Sequence, residues 1–133
     1  MTSAFDFYSA KVNTMDEATK VKSRKFSLRA VNLYKYLAKE KREFVLSNQF
    51  VRAAKIIGAN LAEAECAISE RDFLSKIYVA LKESNETIYW LDILFEAEYI
   101  TEKQHQSMMK DCEELKKIIM ATTKTLCNKL NIK

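Results

Sequence analysis

The feature that most constrains the fold of this chain is the near absence of residues that turn or break the backbone. Among its 133 residues there is one glycine, Gly58, and no proline. Short turns between β-strands depend on glycine and proline, because these residues supply or preset the backbone angles that such turns need. A sheet protein of this length would contain many such turns. The sequence therefore predicts an all-α fold with few and short connections.

The starts of four helices are marked by side chains that can accept a hydrogen bond from a first-turn amide, in most cases with a partner residue three positions later. The predicted N-caps and their partners are Thr14 with Glu17, Ser47, Ser69 with Asp72, and Thr101 with Gln104. The first and third helices then cover about 15–40 and 70–96. The second follows the Ser47 cap and includes the stretch 50–67, and the fourth follows the Thr101 cap to about 130. Long helices joined by short links predict an antiparallel up-down-up-down four-helix bundle over residues 14–133, preceded by a tail over residues 1–13.

Apolar residues recur every three or four positions in each segment, as on a helix face that is packed in a core. The predicted core positions of the first two helices are Phe26, Ala30, Leu33, Tyr34 and Leu37, then Phe50, Ala53, Ala54, Ile57, Leu61, Ala64 and Ile68. Those of the third and fourth helices are Phe73, Ile77, Ala80, Leu81, Ser84, Ile88, Leu91 and Phe95, then Met108, Cys112, Leu115, Ile119, Thr122, Leu126 and Leu130. Gly58 lies inside the second helix among alanines, and these small side chains predict that another helix approaches closely there.

Membrane insertion and secretion are not expected for this sequence. No stretch of 18 consecutive apolar residues is present, and the first residues lack a basic start followed by an apolar run. The three cysteines, Cys66, Cys112 and Cys127, show no paired spacing and lie next to apolar residues on predicted helices. They are interpreted as buried free thiols, which suits a reduced, cytoplasmic setting.

Catalytic and metal sites find little support. Glu102-x-x-His105 has the form used in di-iron bundles, but those sites need the motif twice, together with glutamates from two further helices, and this chain has one histidine. The single histidine also argues against most Ser-His and Cys-His nucleophiles, and one glycine cannot build a phosphate-binding loop. We therefore expect no enzyme activity, no metal and no cofactor.

Positive charge is concentrated in the first part of the chain. Residues 11–55 hold 12 Lys/Arg against 4 Asp/Glu, whereas the remaining residues hold 10 against 14. The cations of the first helix and its end lie on roughly the opposite side from the apolar stripe, and the candidates are Lys20, Arg24, Lys25, Lys35, Lys39 and Arg42. This pattern is compatible with a solvated helix face, a track for the phosphates of RNA or DNA, or a surface for an acidic patch on a partner protein.

A second stripe of polar residues runs beside the predicted core of the second and third helices. Gly58, which indicates close helix packing, and Trp90 are grouped with it. The full set of residues is Gln49, Arg52, Gly58, Asn60, Glu63, Glu83, Glu86 and Trp90. Charges on otherwise apolar helices need partners, so we interpret the stripe as a hydrogen-bonded and ionic network. The network would lie either between the two helices or across a subunit boundary.

Several of these residues also carry a family resemblance that covers about residues 24–126. The matching stretches are Glu43-Phe44, Gln49, Arg52-Ala53-Ala54, Ile57-Gly58-Ala59-Asn60, Glu63-Ala64, Asp72-Phe73, Lys76, Ala80-Leu81-Lys82-Glu83, Glu86-Thr87 and Tyr89-Trp90-Leu91. They resemble the four-helix-bundle proteins encoded in intervening sequences of bacterial large-subunit ribosomal RNA genes, historically labelled a ribosomal protein family. Where many members have Glu-Gly, this chain has Glu63-Ala64, as one branch of the family does.

The resemblance implies a bundle that assembles as a homopentamer and has no known enzyme activity. Relatives in diversity-generating retroelements are accessory proteins that contact a reverse transcriptase and nucleic acid, so a reverse transcriptase is an expected partner by analogy. The combined prediction is a non-enzymatic, oligomeric helical scaffold that binds RNA or DNA weakly through the basic face of the first helix. The alternative is a protein-binding adaptor or self-assembly module with no role in nucleic-acid binding.

Overall fold

The computed structural model describes residues 15–132, and these form four helices. Helix α1 spans Glu17–Glu40, α2 Val45–Ala64, α3 Glu70–Glu96 and α4 Glu102–Lys129. No strand occurs in this part of the chain. Successive helices pack on one another, most extensively α2 on α3, while α1 and α4 close the bundle with a lighter contact. The predicted antiparallel four-helix bundle is confirmed. The predicted tail, residues 1–13, lies outside the described residues.

The N-caps of α3 and α4 are those that the sequence predicts. The Ser69 hydroxyl accepts the Asp72 N–H at 3.0 Å. At the start of α4, Thr101 and Gln104 form a reciprocal capping box, with bonds of 3.1 and 2.8 Å. These caps are local in sequence, which is why a short motif identifies them.

The other two caps differ from the prediction. Helix α1 is capped by Asp16, whose carboxylate accepts the Thr19 N–H at 2.8 Å, whereas Thr14 lies outside the described residues. Ser47 is not the N-cap of α2 but a fully buried residue inside it. The N-cap position is held by Phe44, whose side chain makes no capping bond. The preceding residue, Glu43, takes over this role, and its carboxylate accepts the N–H groups of Leu46 and Ser47 at 2.7 and 2.8 Å. A glutamate preceding a helix is less typical of a cap than a serine, so sequence patterns favour the wrong residue here.

The buried core lies along the predicted stripes, with a few shifts. Ile68 is 81% exposed because α2 has already ended at Ala64. Thr123 rather than Thr122 is buried in α4, while Thr87 joins the core of α3 because its hydroxyl bonds to the carbonyl of Glu83 at 2.7 Å. Tyr34, Leu81, Ile88, Phe95 and Leu130 are only half-buried.

The cysteines do not share one environment. Cys112 is buried, and burial raises the pKa of its thiol to about 12. Cys127 is half-buried and Cys66 is exposed, so the prediction of three buried thiols is wrong for these two. Cys66 follows the end of α2, so it does not lie on the helix to which the sequence prediction assigned it. None of the helices in the described part is long and apolar enough to cross a bilayer.

Candidate nucleic-acid and assembly surfaces

The outward face of α1 carries most of the predicted basic residues. At about 100° per residue, Arg24, Lys25, Lys35 and Lys39 fall within one sector, opposite the buried Phe26 and its core neighbours. All four side chains are exposed. Within residues 15–132, no carboxylate oxygen lies within 4.0 Å of their charged groups. We call these four residues the basic face.

The other two candidate cations are placed differently. Lys20 is half-buried, and its ammonium group contacts Glu17 and Glu65, each at 3.2 Å. The hydrogen bonds to Glu65 and Glu17 raise the pKa of Lys20. Arg42 lies beyond the end of α1, in the connection to α2, with a positive φ of 54°. The structure therefore brings four of the six predicted residues together on the outward side of the helix, whereas Lys20 is engaged by two carboxylates and Arg42 lies beyond the helix.

Two further cations of α1 hold the bundle together. The Arg29 guanidinium donates to the Asp111 carboxylate at 2.6 Å and to the Ser107 hydroxyl at 2.7 Å, both on α4. Lys22 forms an ion pair with Glu114 of the same helix. These contacts lie on the side of α1 that faces α4, where the packing is lighter than between successive helices. They are structural ion pairs and leave the basic face available.

Apolar side chains are interleaved with the basic face, a feature that the sequence reasoning missed. Val21, Leu28 and Val31 are 63, 57 and 37% exposed and point into the same sector as the four cations. The signal was available in the sequence, because all three lie off the core stripe of α1. A surface of this composition can contact both phosphates and apolar groups.

The residues of the polar stripe lie on the two neighbouring helices α2 and α3, and we call the surface that they define the α2–α3 face. On α2 it contains Gln49, Arg52, Asn60 and Glu63, and on α3 it contains Glu83, Glu86 and Trp90. One ion pair crosses between the helices, from Lys76 to Glu63 at 3.7 Å. The Asn60 amide instead donates to the Ile56 carbonyl of its own helix at 3.0 Å.

Two polar atoms on the α2–α3 face are buried without a hydrogen-bond partner in the described part of the chain. They are Glu83 Oε2 and Trp90 Nε1. Burial raises the pKa of Glu83, and the neighbouring charge of Glu86 adds to this, while the charge of Arg52 lowers it. Arg52 itself is exposed and forms no ion pair within residues 15–132. The face thus combines buried groups that lack partners with an exposed cation.

Gly58 marks the close approach of α1 to α2. A Cβ atom at this position would lie 2.6 Å from the Ser27 hydroxyl oxygen, well inside van der Waals contact. Beside it a groove of about 420 Å³ runs between the two helices, lined in part by Ser23, Ser27 and Leu61. The ion pair between Lys20 and Glu65 joins the helices that form the groove. Among the described residues that line the groove there is no histidine or cysteine, so its serines have no adjacent base of that kind there.

His105 has a structural contact rather than the arrangement of a metal ligand. Its Nε2 atom lies 2.8 Å from Asp92 Oδ1, and its ring stacks on Phe95 with 4.7 Å between centroids. Glu102, the other residue of the Glu102-x-x-His105 motif, accepts a hydrogen bond from the Gln106 side-chain amide instead. Among the residues that the structure describes, no three His, Cys, Asp or Glu side chains are grouped as metal ligands would be.

Comparison with known proteins identifies related sequences and a related structure. The family model described as 23S rRNA-intervening sequence protein matches residues 16–121. A crystal structure of a protein of unknown function from the S23 ribosomal protein family of Bacteroides thetaiotaomicron VPI-5482 is 48% identical to this chain. The alignment covers 80% of this chain and 96% of that protein, with a TM-score of 0.79. No match was found among curated proteins.

Proposed function

The chain belongs to the 23S rRNA-intervening sequence protein family, and from that premise we propose that it is a non-enzymatic, self-assembling helical scaffold that binds RNA or DNA through the basic face of α1. The family description and the related crystal structure name no enzyme activity. A catalytic role would also need a nucleophile beside its base, or a metal cluster. In the described part of the chain, the serines of the α1–α2 groove have no histidine or cysteine beside them in the lining, and no group of metal-ligating side chains occurs.

The observation that carries the nucleic-acid part of the proposal is the set of four exposed cations on one helix face that form no ion pair within residues 15–132. Arg24 and Lys39 are fifteen residues apart, which places them about 22 Å from each other along the helix axis. That span corresponds to several phosphates of an extended strand. Because no intrachain ion pair has to be broken within the described residues, each cation can neutralise a phosphate and release a counterion.

Self-assembly is supported by the α2–α3 face. Buried polar atoms without partners cost free energy, and Glu83 Oε2 and Trp90 Nε1 are two such atoms on one face. A second copy packed against this face would supply hydrogen-bond partners and a counter-charge for Arg52. We propose that this contact builds the homo-oligomer, with a pentamer as the expected closed ring.

The nucleic-acid proposal is tested by neutralising the basic face. The variant Arg24→Gln/Lys25→Gln/Lys35→Gln/Lys39→Gln is compared with Lys55→Gln/Lys82→Gln/Lys110→Gln/Lys124→Gln, which removes four exposed cations elsewhere. Binding of labelled RNA and duplex DNA is followed by fluorescence anisotropy at several salt concentrations. Four phosphate contacts predict that the logarithm of the binding constant for duplex DNA falls with the logarithm of the salt concentration with a slope of about −3.6. This salt dependence should be lost in the first variant and retained in the control. Equal losses in both variants, or no salt-sensitive binding by the wild type, would refute the proposal.

The assembly proposal has a separate test. Arg52→Glu reverses an exposed charge on the α2–α3 face, while Lys55→Glu makes the same change on α2 outside that face. Light scattering should give an oligomer for the wild type and Lys55→Glu, and a smaller particle for Arg52→Glu. A wild-type mass of 15.4 kDa at micromolar concentration would contradict self-assembly.

A protein-binding adaptor is the second candidate, favoured by the exposed Val21, Leu28 and Val31 between the cations. An acidic, amphipathic partner helix would cover both the apolar and the charged groups of this surface. If nucleic acid does not bind, replacing Leu28 with serine should weaken capture of that partner, whereas phosphate binding does not require Leu28.

A further inference from the structure

One end of the bundle has an unusual surface. It is the end that carries the connection from α1 to α2 and the connection from α3 to α4. In an up-down-up-down bundle both connections lie at this same end. Each contains a charged residue with a left-handed backbone, Arg42 with φ of 54° and Glu98 with φ of 68°. Glycine is the usual residue at such positions after a helix, because it has no Cβ to clash. The two connections therefore place side chains of opposite charge at equivalent positions.

In the first connection a charged residue is buried, while the apolar residues that follow it are exposed. Glu43 is only 7% exposed because its carboxylate turns inward to cap α2. The next two residues, Phe44 and Val45, are 49 and 74% exposed. The hydrogen bonds of Glu43 hold this part of the chain in place, so Phe44 and Val45 form a fixed apolar patch on the end of the bundle.

The charges around this patch are segregated by connection. At the first connection, with the helix residues next to it, Lys39, Lys41 and Arg42 are exposed. At the second, counted in the same way, Glu96, Glu98 and Glu102 are exposed. Each group has one exposed exception: the acidic Glu40 lies among the basic residues, and the basic Lys103 lies among the acidic ones. Within residues 15–132 none of these eight residues forms an ion pair. The end surface thus has a basic side, an acidic side and exposed apolar groups, and neither charged side neutralises the other in the single chain.

We propose that this end surface docks onto the same end surface of a second copy, with Phe44 and Val45 in the contact and Arg42 of each copy facing Glu98 of the other. A two-fold axis brings the same patch of both copies together, so a surface with one basic and one acidic side is complementary to itself. The contact is end to end and does not involve the α2–α3 face. It therefore doubles whatever particle the chain forms, whether a monomer or a ring.

The expected affinity is modest for a single pair of chains. Helix ends alone bury less than the roughly 1,200 Å² that stable interfaces start from, so two isolated chains should associate in a concentration-dependent way. Stacked rings would repeat the contact around the axis and associate more tightly by avidity.

Charge reversal provides a test in which single variants lose the pairing of copies and a complementary reversal restores it. Arg42→Glu places acidic groups on both sides of the end surface, and Glu98→Arg places basic groups on both. Each change keeps an unbranched side chain at the left-handed position. Neither variant should pair with itself, but an equimolar mixture of the two should pair, because every contact is then between opposite charges. The double variant Arg42→Glu/Glu98→Arg should also pair with itself. Lys124→Glu, an exposed charge on the C-terminal half of α4, is the control for net charge.

Particle mass is measured by sedimentation over a wide range of protein concentration. The wild type, the Lys124→Glu control, the double variant and the mixture should reach twice the mass of the smallest particle, and the single variants should remain at that smallest mass. A wild type that never doubles overturns the proposal, and so do single variants that double as the wild type does. A mixture that stays at the smallest mass also overturns it. Because the doubling is read relative to the smallest particle, it is independent of side-to-side assembly.

Discussion

The cap of α2 should be the most sensitive polar position in the fold. The Glu43 carboxylate accepts the N–H groups of Leu46 and Ser47 at 2.7 and 2.8 Å, and the Ser47 hydroxyl donates back to the Glu43 carbonyl at 2.8 Å. In Glu43→Ala both amides lose their acceptor. The Leu46 amide can turn to water, which limits its loss to the typical cap value of about 1 kcal/mol. Ser47 is 0% exposed, so its amide adds the larger cost of a buried, unsatisfied donor, about 1–3 kcal/mol.

We therefore expect Glu43→Ala to lower the free energy of unfolding by about 2–4 kcal/mol, a large part of the 5–15 kcal/mol typical of a domain. Glu43→Gln retains one acceptor oxygen and should lose about half as much. Glu40→Ala, an exposed change three residues earlier, should stay within about 0.5 kcal/mol of the wild type. The measurement is urea unfolding followed by circular dichroism, with the slope checked for constancy. Equal stabilities for Glu43→Ala and Glu40→Ala would refute the reasoning.

Two further predictions concern Gly58 and Glu83. Gly58→Ala places a Cβ 2.6 Å from the Ser27 oxygen, so it should gain little or lose stability. Adding Ser27→Ala removes that oxygen and leaves the Ser27 Cβ at 3.9 Å, so the double variant should recover the helix-propensity gain of about 1 kcal/mol in thermal or urea unfolding. Additive effects of the two changes would contradict this account. For Glu83, the folded-state pKa is raised above its ordinary value of 4.5, so folding disfavours the ionised form. The penalty is absent below the ordinary pKa, grows as pH rises from that value toward the folded-state pKa, and is complete above the folded-state pKa. Glu83→Gln should therefore increase stability at neutral pH and have no such effect below about pH 4, and a gain independent of pH would disprove it.

Much of the basic face could be found in the sequence, because exposure on an amphipathic helix follows from the spacing of its apolar residues. Arg24, Lys25, Lys35 and Lys39 were placed correctly on the exposed side for this reason. Lys20 lies near the same sector, but the end of α2 brings Glu65 within 3.2 Å of it. That contact joins residues 45 positions apart, and no local pattern predicts it.

The α2–α3 face was less predictable than the basic face. The sequence indicated a polar stripe that needed partners, and the structure supplies one cross-helix pair, between Lys76 and Glu63. It leaves Glu83 Oε2 and Trp90 Nε1 without hydrogen-bond partners in the described chain. Whether a polar side chain on a helix is bonded depends on the rotation and offset of the neighbouring helix, and the periodicity of one helix carries no information about either.

The sequence by itself determined the class of fold and the faces of the helices. One glycine and no proline exclude a turn-rich sheet, and apolar spacing within each segment identifies most of the core, because both effects act over a few residues. Only the tertiary structure decided which charged side chains form contacts within the bundle and which remain exposed. Glu43 is turned inward while Phe44 remains exposed. Arg29 forms an ion pair with Asp111 of α4, whereas Arg24 forms none within residues 15–132. These outcomes depend on the distances between residues far apart in the chain, which are set when the helices pack together.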